Sequence, residues 1–340
     1  MTMRDVGIVA IGRNEGERLK ACLHSLPADC PIVYVDSGST DGSVTFAQSM
    51  GVTVVELDMS IPFTAARARN AGFAALLRLK PDLVFVQMID GDCVIDPAWL
   101  GAGIAALSAD NRLAAVFGRL RERYPERSLY NRLCDREWDV PVGDVMACGG
   151  IALIRADRLA DVDGYDATLI AGEEPDLCAR MRERGWLIRR IPAEMALHDA
   201  AMTRFGQYWR RTKRNGHACS ELAWRAHGAP DPLWERQARS ILIWAVAIPA
   251  LIFSAVIIGA TLTGFGWIAA IALLLLYPVQ ILRIARRERR DGASSGFAFA
   301  RAALLVVGKF AELQGLIAYH RRRLTGGGVK LIEYKDATTR

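Results

Sequence analysis

The sequence predicts an α/β fold: a Rossmann-like, mostly parallel sheet with helices on both faces, followed by a C-terminal transmembrane helical hairpin and an amphipathic helix. Three observations predict it. Residues 1–120 alternate strand and helix signals. Polar loops follow the first, second and fourth of those strands, at the carboxyl edge where such sheets bind ligands. Residues 241–282 contain no charged side chain, about twice the ~20 residues that one span requires.

Taken in order, Val6–Ile11 reads as a strand, Glu15–Leu26 as a helix and Ile32–Asp36 as a strand. Asp41–Met50 follows as a short helix, with Asp41 suited to cap its N-terminus. Val52–Leu57 is a strand, Thr64–Leu79 a helix and Leu83–Ile89 a strand. Alternation at this spacing favours parallel pairing, because each crossover supplies a helix to cover the sheet. Beyond residue 120 the pattern is less regular. Gly149–Ile154 reads as a buried strand led by two glycines, and Leu187–Ile191 as a strand whose following loop carries His198. Glu173–Arg184 has acids in its first turn and bases in its last, as the helix dipole favours. Thr203–His227 reads as a long basic and aromatic helix.

The uncharged stretch divides into two spans, about residues 241–262 and 266–282, with a turn at Thr263-Gly264-Phe265-Gly266. Arg236 and Arg239 precede it; Arg283, Arg286, Arg287, Arg289 and Arg290 follow it. Basic flanks on both sides place both ends in the cytoplasm. Residues 297–320 are apolar but interrupted by Arg301, Lys309 and Glu312, which fits an interfacial helix better than a third span. Arg321-Arg322-Arg323 suits anionic lipid head groups. The expected organisation is an α/β domain over residues 1–235, a hairpin with basic flanks over 236–290, and an interfacial helix with a basic tail over 291–340.

The net charge is +6. The basic residues cluster beside apolar runs, so membrane lipids are the expected partner and nucleic acid is not. The seven cysteines include no Cys-x-x-Cys pair, which argues against a zinc site or disulfide framework and for a reducing compartment. The N-terminus enters a strand without an apolar leader, so a secretory signal is not expected. The chain has no Gly-x-Gly-x-x-Gly after the first strand, which disfavours a dinucleotide-dependent dehydrogenase.

Asp90-Gly91-Asp92 is the most informative motif. Two carboxylates flank one glycine where a strand gives way to a loop, so both can reach one divalent cation, and the glycine lets a phosphate approach the backbone. Around it stand Ile11-Gly12-Arg13-Asn14-Glu15, the run Val35–Ser43, Ala68-Arg69-Asn70-Ala71-Gly72, Gly172-Glu173-Glu174-Pro175-Asp176-Leu177, and His198.

In this order and spacing the motifs resemble those of the family 2 glycosyltransferases, which have the GT-A fold; the resemblance covers roughly residues 6–215. It implies an inverting transfer from a nucleotide-sugar, with Mn²⁺ or Mg²⁺. Asn14, Glu15, Asp36, Ser37, Arg69, Asp90 and Asp92 correspond to nucleotide-sugar-binding positions. Asp36 corresponds to the acid that accepts hydrogen bonds from the base, although Ser37 stands where family members often have a second acid. Arg69 lies near the diphosphate in the family. Asp92, Asp90 and His198 are the metal ligands implied, with Asp199 as a competitor to His198. Glu174 matches the general base, with Glu173 and Asp176 as alternatives, and a glutamate replaces the usual aspartate there. Gly149-Gly150 leads toward the acceptor side.

Gln207-Tyr208-Trp209-Arg210-Arg211 resembles the Gln-x-x-Arg-Trp motif of processive synthases, with Arg211 in place of the final Trp. Arg210 is a candidate for the donor diphosphate or a lipid head group. Two spans are few for a polymer channel, which favours transfer of one sugar. The acceptors that fit are a glycolipid, lipopolysaccharide core, polyprenyl-linked glycan or polyprenyl phosphate, at the inner (plasma) membrane with the catalytic domain cytoplasmic. Two other readings stand beside this one: a catalytically idle nucleotide-sugar-binding membrane protein, and a membrane-bound nucleotidyltransferase.

Overall fold

The computed structural model describes residues 3–225, 233–261 and 265–326. They form two compact units, one ending at Thr203 and one beginning at Arg204.

The first unit is built on one sheet. Strands β1 (Val6–Gly12), β2 (Ile32–Asp36), β3 (Thr53–Glu56) and β4 (Phe85–Asp90) pair in parallel in the order β3-β2-β1-β4. β1 is buried on both faces, from Val6 to Ile11, which is why its sequence is continuously apolar. Helix α1 (Glu17–Ser25) connects β1 to β2, α2 (Ser43–Ser49) connects β2 to β3, and α3 (Ala65–Leu79) connects β3 to β4. Thr64 caps α3, its hydroxyl accepting from the Arg67 N–H at 3.1 Å. Gly72 lets α3 sit directly on the sheet: a Cβ there would lie 2.4 Å from Val9 Cγ1 and 2.9 Å from Val35 Cγ2. The cap of α2 differs from the sequence expectation. Gly42 occupies the N-cap in a left-handed conformation, φ 82°, and Asp41 accepts instead from the Ser43 N–H and from the Gly16 N–H.

Past β4 the sheet turns mixed. β5 (Cys93–Ile95), α4 (Trp99–Ala109), β6 (Leu113–Glu122), α5 (Leu129–Glu137), β7 (Gly143–Val145), β8 (Ala152–Arg155), α6 (Ala156–Asp161), α7 (Glu173–Glu183) and β9 (Leu187–His198) complete the unit. β8 runs antiparallel between β4 and β6, and β9 pairs in parallel with β6 but antiparallel with β5 and β7. Pairing is therefore wholly parallel among the first four strands, where helical crossovers are regular, and mixed beyond them. β9 also runs further than the sequence suggested, continuing to His198. Pro192 lies in the irregular part of its register with β6, between the pairs Phe117–Arg190 and Arg119–Glu194, where a bulge tolerates a residue without an N–H.

The second unit is helical. α8 (Phe205–Arg225) and α13 (Ser295–Thr325) pack backbone to backbone. A Cβ on Gly315 would lie 2.0 Å from the Lys213 carbonyl oxygen, and one on Gly216 2.1 Å from that of Glu312. Between them run α9 (Leu233–Leu242), a π-helical turn (Ile243–Ala247), α10 (Ile248–Thr261), α11 (Phe265–Leu274) and α12 (Leu276–Arg290). The π turn has a cause. The Ile248 N–H reaches back to the Ile243 oxygen, and the next donor in that ladder would be Pro249, which has none. The Tyr277 hydroxyl donates to the Trp244 oxygen at 2.7 Å and fills the place.

Three helical stretches, Trp234–Thr261, Gly266–Arg290 and Ser295–Thr325, are long and apolar enough to cross a membrane. The third carries the charges noted in the sequence, paired within the unit: Lys309 with Glu312 at 2.7 Å, and Arg301 with Glu288. The expected turn at Thr263-Gly264, the helix end at His227 and the tail after residue 326 lie outside the described residues.

Candidate active site

The site begins with strand register. Gly12 pairs with Asp36, and Ile11 with Asp90, so the ends of β1, β2 and β4 lie side by side. The three polar loops thus leave one edge, as the alternation predicted. The first two also bind each other. Asn14 adopts a left-handed conformation, φ 54°, and its Oδ1 accepts from the Thr40 N–H at 2.7 Å. Its own N–H donates to Ser39 Oγ at 2.8 Å. Asp36 is fully engaged: Oδ1 accepts from the Tyr34 hydroxyl at 2.9 Å, and Oδ2 from the N–H groups of Gly38 and Ser39. Ser37 is buried, and Glu15 pairs with Arg18 at 2.8 Å.

A second group lies around Asp92. β5 pairs with β9 so that Cys93 faces His198. This brings Asp92 Oδ2 within 3.1 Å of His198 Nε2. The ligand atoms of Asp92, Cys93 and His198 all lie within 4.8 Å of one another, and all three residues are buried. Trp138 packs edge-on against the His198 ring, centroids 4.7 Å apart. A carboxylate, a thiol and an imidazole held this close could hold a metal ion; the Asp90 carboxylate is not part of this group and lies against Arg69. Cys93 was not singled out in the sequence. Its signal was its place directly after Asp92, and its meaning depends on a strand pairing that sequence spacing does not reveal.

The third group is centred on Arg69, on α3. The sequence reading set this guanidinium beside a diphosphate. In the structure it is 3% exposed and meets three protein carboxylates: Nη1 lies 2.9 Å from Glu173 Oε1 and 3.1 Å from Glu174 Oε1, and Nη2 lies 3.1 Å from Asp90 Oδ1. The Tyr165 ring lies against it, 5.5 Å from centroid to guanidinium carbon. A Cβ on Gly150 would come within 2.4 Å of Arg69 Nη2, 3.1 Å of Glu174 Oε1 and 3.2 Å of Asp90 Oδ2, so the glycine closes the cluster. Burial, reinforced by the neighbouring Glu173, pushes the Glu174 carboxyl up to about 7, against the opposing pull of Arg69. Asp176 is held by Arg180, Oδ2 to Nε 2.9 Å. Asp90 is the most open of the four, its side chain 36% exposed. Arg210 belongs to the second unit, on α8.

Residues 8–151 match the family model described as Glycosyl transferase family 2. The matched segment is similar to that family over the first four strands and the start of the mixed sheet, and the sheet as a whole is the mixed, curled α/β sheet of the GT-A fold. Two curated proteins of Mycobacterium tuberculosis (strains CDC 1551 / Oshkosh and ATCC 25618 / H37Rv), each described as "Pre-mycofactocin glycosyltransferase", are 28% identical to this chain. The matches take in 83% of this chain and 58% of theirs, so the chain spans little more than half the length of these relatives. Among solved structures, the mannosyltransferase PcManGT from Pyrobaculum calidifontis, in complex with GDP-Man and Mn²⁺, superposes with a TM-score of 0.54 at 16% identity. It covers 94% of this chain and 87% of its own, a likeness of fold.

Proposed function

We propose that the protein is a metal-dependent inverting glycosyltransferase that moves one sugar from a nucleotide-sugar to a hydroxyl of a membrane-associated acceptor. One observation carries the reading. The acid of the Asp-Gly-Asp motif and the acids that open α7 come from distant parts of the chain and converge on one buried arginine beside Gly150.

Glu174 is the base in this reading. Poised at about 7, its carboxylate takes the proton of the acceptor hydroxyl as that oxygen attacks the anomeric carbon. The new C–O bond forms as the bond to the nucleoside diphosphate breaks on the opposite face, which inverts the centre. Glu173 is more enclosed and Asp176 is held by Arg180, which supports Glu174 over both. Asn14, Glu15, Asp36, Ser37, Asp90 and Asp92 line the donor side, and Arg210, in the second unit, is assigned to a lipid head group. Asp92, Asp90 and His198 would hold Mn²⁺ or Mg²⁺. Such a cation neutralises the charge that develops on the leaving diphosphate.

A carboxylate at the base position favours a hydroxyl acceptor over polyprenyl phosphate, which arrives already ionised. The apolar helices support an acceptor that is itself in the membrane: a glycolipid, lipopolysaccharide or polyprenyl-linked glycan of the cell envelope. In this reading α10 to α12 form the transmembrane hairpin. α13 lies at the surface, because its apolar run is broken by charged pairs and its partner helix α8 carries Arg210, Arg211, Lys213 and Arg214. The catalytic unit then faces the cytoplasm.

The test is nucleoside diphosphate release by the detergent-purified protein across UDP-, GDP- and dTDP-sugars, with and without Mn²⁺ or Mg²⁺ and with membrane lipid extract as acceptor. Metal-dependent release from one donor, absent in Asp92→Asn, is the expected result. Silence with every donor while nucleotide still binds sinks the enzyme reading in favour of an idle binding protein. Pyrophosphate as the product would indicate nucleotidyl transfer instead.

A further inference from the structure

We infer that Arg69 is a positioning residue, not a diphosphate ligand: it clamps the donor-side acid Asp90 and the base-side acids Glu173 and Glu174 at a fixed separation. The inference rests on the reading of Glu174 as the base.

Both terminal nitrogens of the guanidinium are committed to protein carboxylates. The Tyr165 ring and the Gly150 backbone close in around the guanidinium, and the side chain is 3% exposed. A phosphate could reach it only by displacing a carboxylate or the 150 segment. The surroundings are built to hold it still. Thr64 caps its helix, and Gly72 seats that helix against β1 and β2. The neighbouring Asn70 grips the backbone of Tyr165 from both sides, its Nδ2 donating to the Tyr165 oxygen at 2.7 Å and its Oδ1 accepting the Tyr165 N–H at 2.9 Å. Arg69-Asn70 is thus one fixture, one side chain holding the acids and the other holding the aromatic ring beside them.

A planar fork suits this task and an ammonium does not. Arginine offers donors at set angles to several carboxylates at once, whereas lysine offers a point charge. Without the fork, three acids crowded beside Gly150 would repel one another and Glu174 would leave its line to the acceptor oxygen. Displacement of a reacting group by 1 Å costs about a hundredfold in rate.

The experiment compares full-length wild type with Arg69→Lys, Arg69→Ala and Gly150→Ala. It measures kcat, donor KM, and binding of whichever of UDP, GDP or dTDP the donor panel identifies. The clamp predicts that Arg69→Lys, which keeps the charge, loses about a hundredfold in kcat while nucleoside diphosphate binds unchanged. It predicts that added guanidinium restores part of the activity of Arg69→Ala. Gly150→Ala, whose methyl would strike Arg69 Nη2, should show the same pattern: kcat falls and binding holds. That variant decides the matter if the Arg69 variants fail to bind nucleotide through misfolding. Diphosphate binding weakened about tenfold or more in Arg69→Lys with kcat retained would overturn the clamp, as would an unchanged kcat in Gly150→Ala. Failure of the underlying reading looks different: Glu174→Gln would then remain active, whatever the Arg69 variants do.

Discussion

Glu174 in the first unit and His217 in the second both lie beside an arginine, and loss of solvent drives both toward their neutral forms. Glu174 rises to about 7, with Glu173 adding to the shift. His217 falls to about 4, with the nearby Arg322 adding to it. The physics is the same and the outcomes differ. Glu174 lands where a small change in its surroundings converts acid to base, whereas His217 lands far below physiological pH and stays uncharged. The neighbours explain the difference. Glu174 borders the open side of its unit, its side chain 16% exposed, near the half-exposed Asp90. His217 lies at the crossing of α8 and α13, 3.7 Å from Glu221, which Arg225 and Arg322 also approach. One cluster holds a carboxyl that changes charge near neutral pH; the other joins two helices.

Four measurements break or sharpen this contrast. Glu174→Gln, which keeps the shape and loses the base, should lower kcat by about 10² to 10⁴ while donor binding persists. A variant that stays active would make the Glu174 cluster as purely structural as the His217 one. Next is the pH profile of kcat/KM. The base works ionised, so activity should be level above about 7 and fall roughly tenfold per unit below it. A profile flat down to pH 5 would assign the proton to another group. Gly315→Val forces α13 away from the Lys213 carbonyl and should destabilise the helical unit by about 1–3 kcal/mol, read as a lower thermal midpoint in detergent. An unchanged midpoint would mean the helix crossing is loose. Tyr277→Phe leaves the Trp244 carbonyl without its hydroxyl and should cost about 1 kcal/mol in the same assay.

Much of the first unit was legible because its signals are local. Strand ends are marked by the polar residues that follow them. The paired register of Gly12, Asp36 and Asp90 follows once β1, β2 and β4 are parallel neighbours. β8 and the long β9 were less legible. Their partners are distant in sequence, and Pro192 interrupts the apolar pattern that would have marked β9 as one strand. Arg69 was legible as a residue and not as a contact, since its burial depends on α3, α7 and the Gly150 segment meeting. In the second unit, spacing separated the charge-free spans from α13. The pairing of α13 with the basic α8 was hidden, because its marks are two glycines, Gly216 and Gly315, unremarkable in either helix alone.

Gly72 has a consequence for how such a site changes over evolutionary time. A methyl group there would overlap Val9 and lift α3 from the sheet. Arg69 and Asn70 ride on that helix, so their height above the strand ends is set by an atom that is not there. A single alanine at position 72 would move the guanidinium without altering any of the carboxylates it meets. The placement of the Arg69 cluster is therefore inherited from a bare patch of backbone one turn further along the same helix, and drift at that patch would shift the guanidinium while leaving every charged side chain in the sequence.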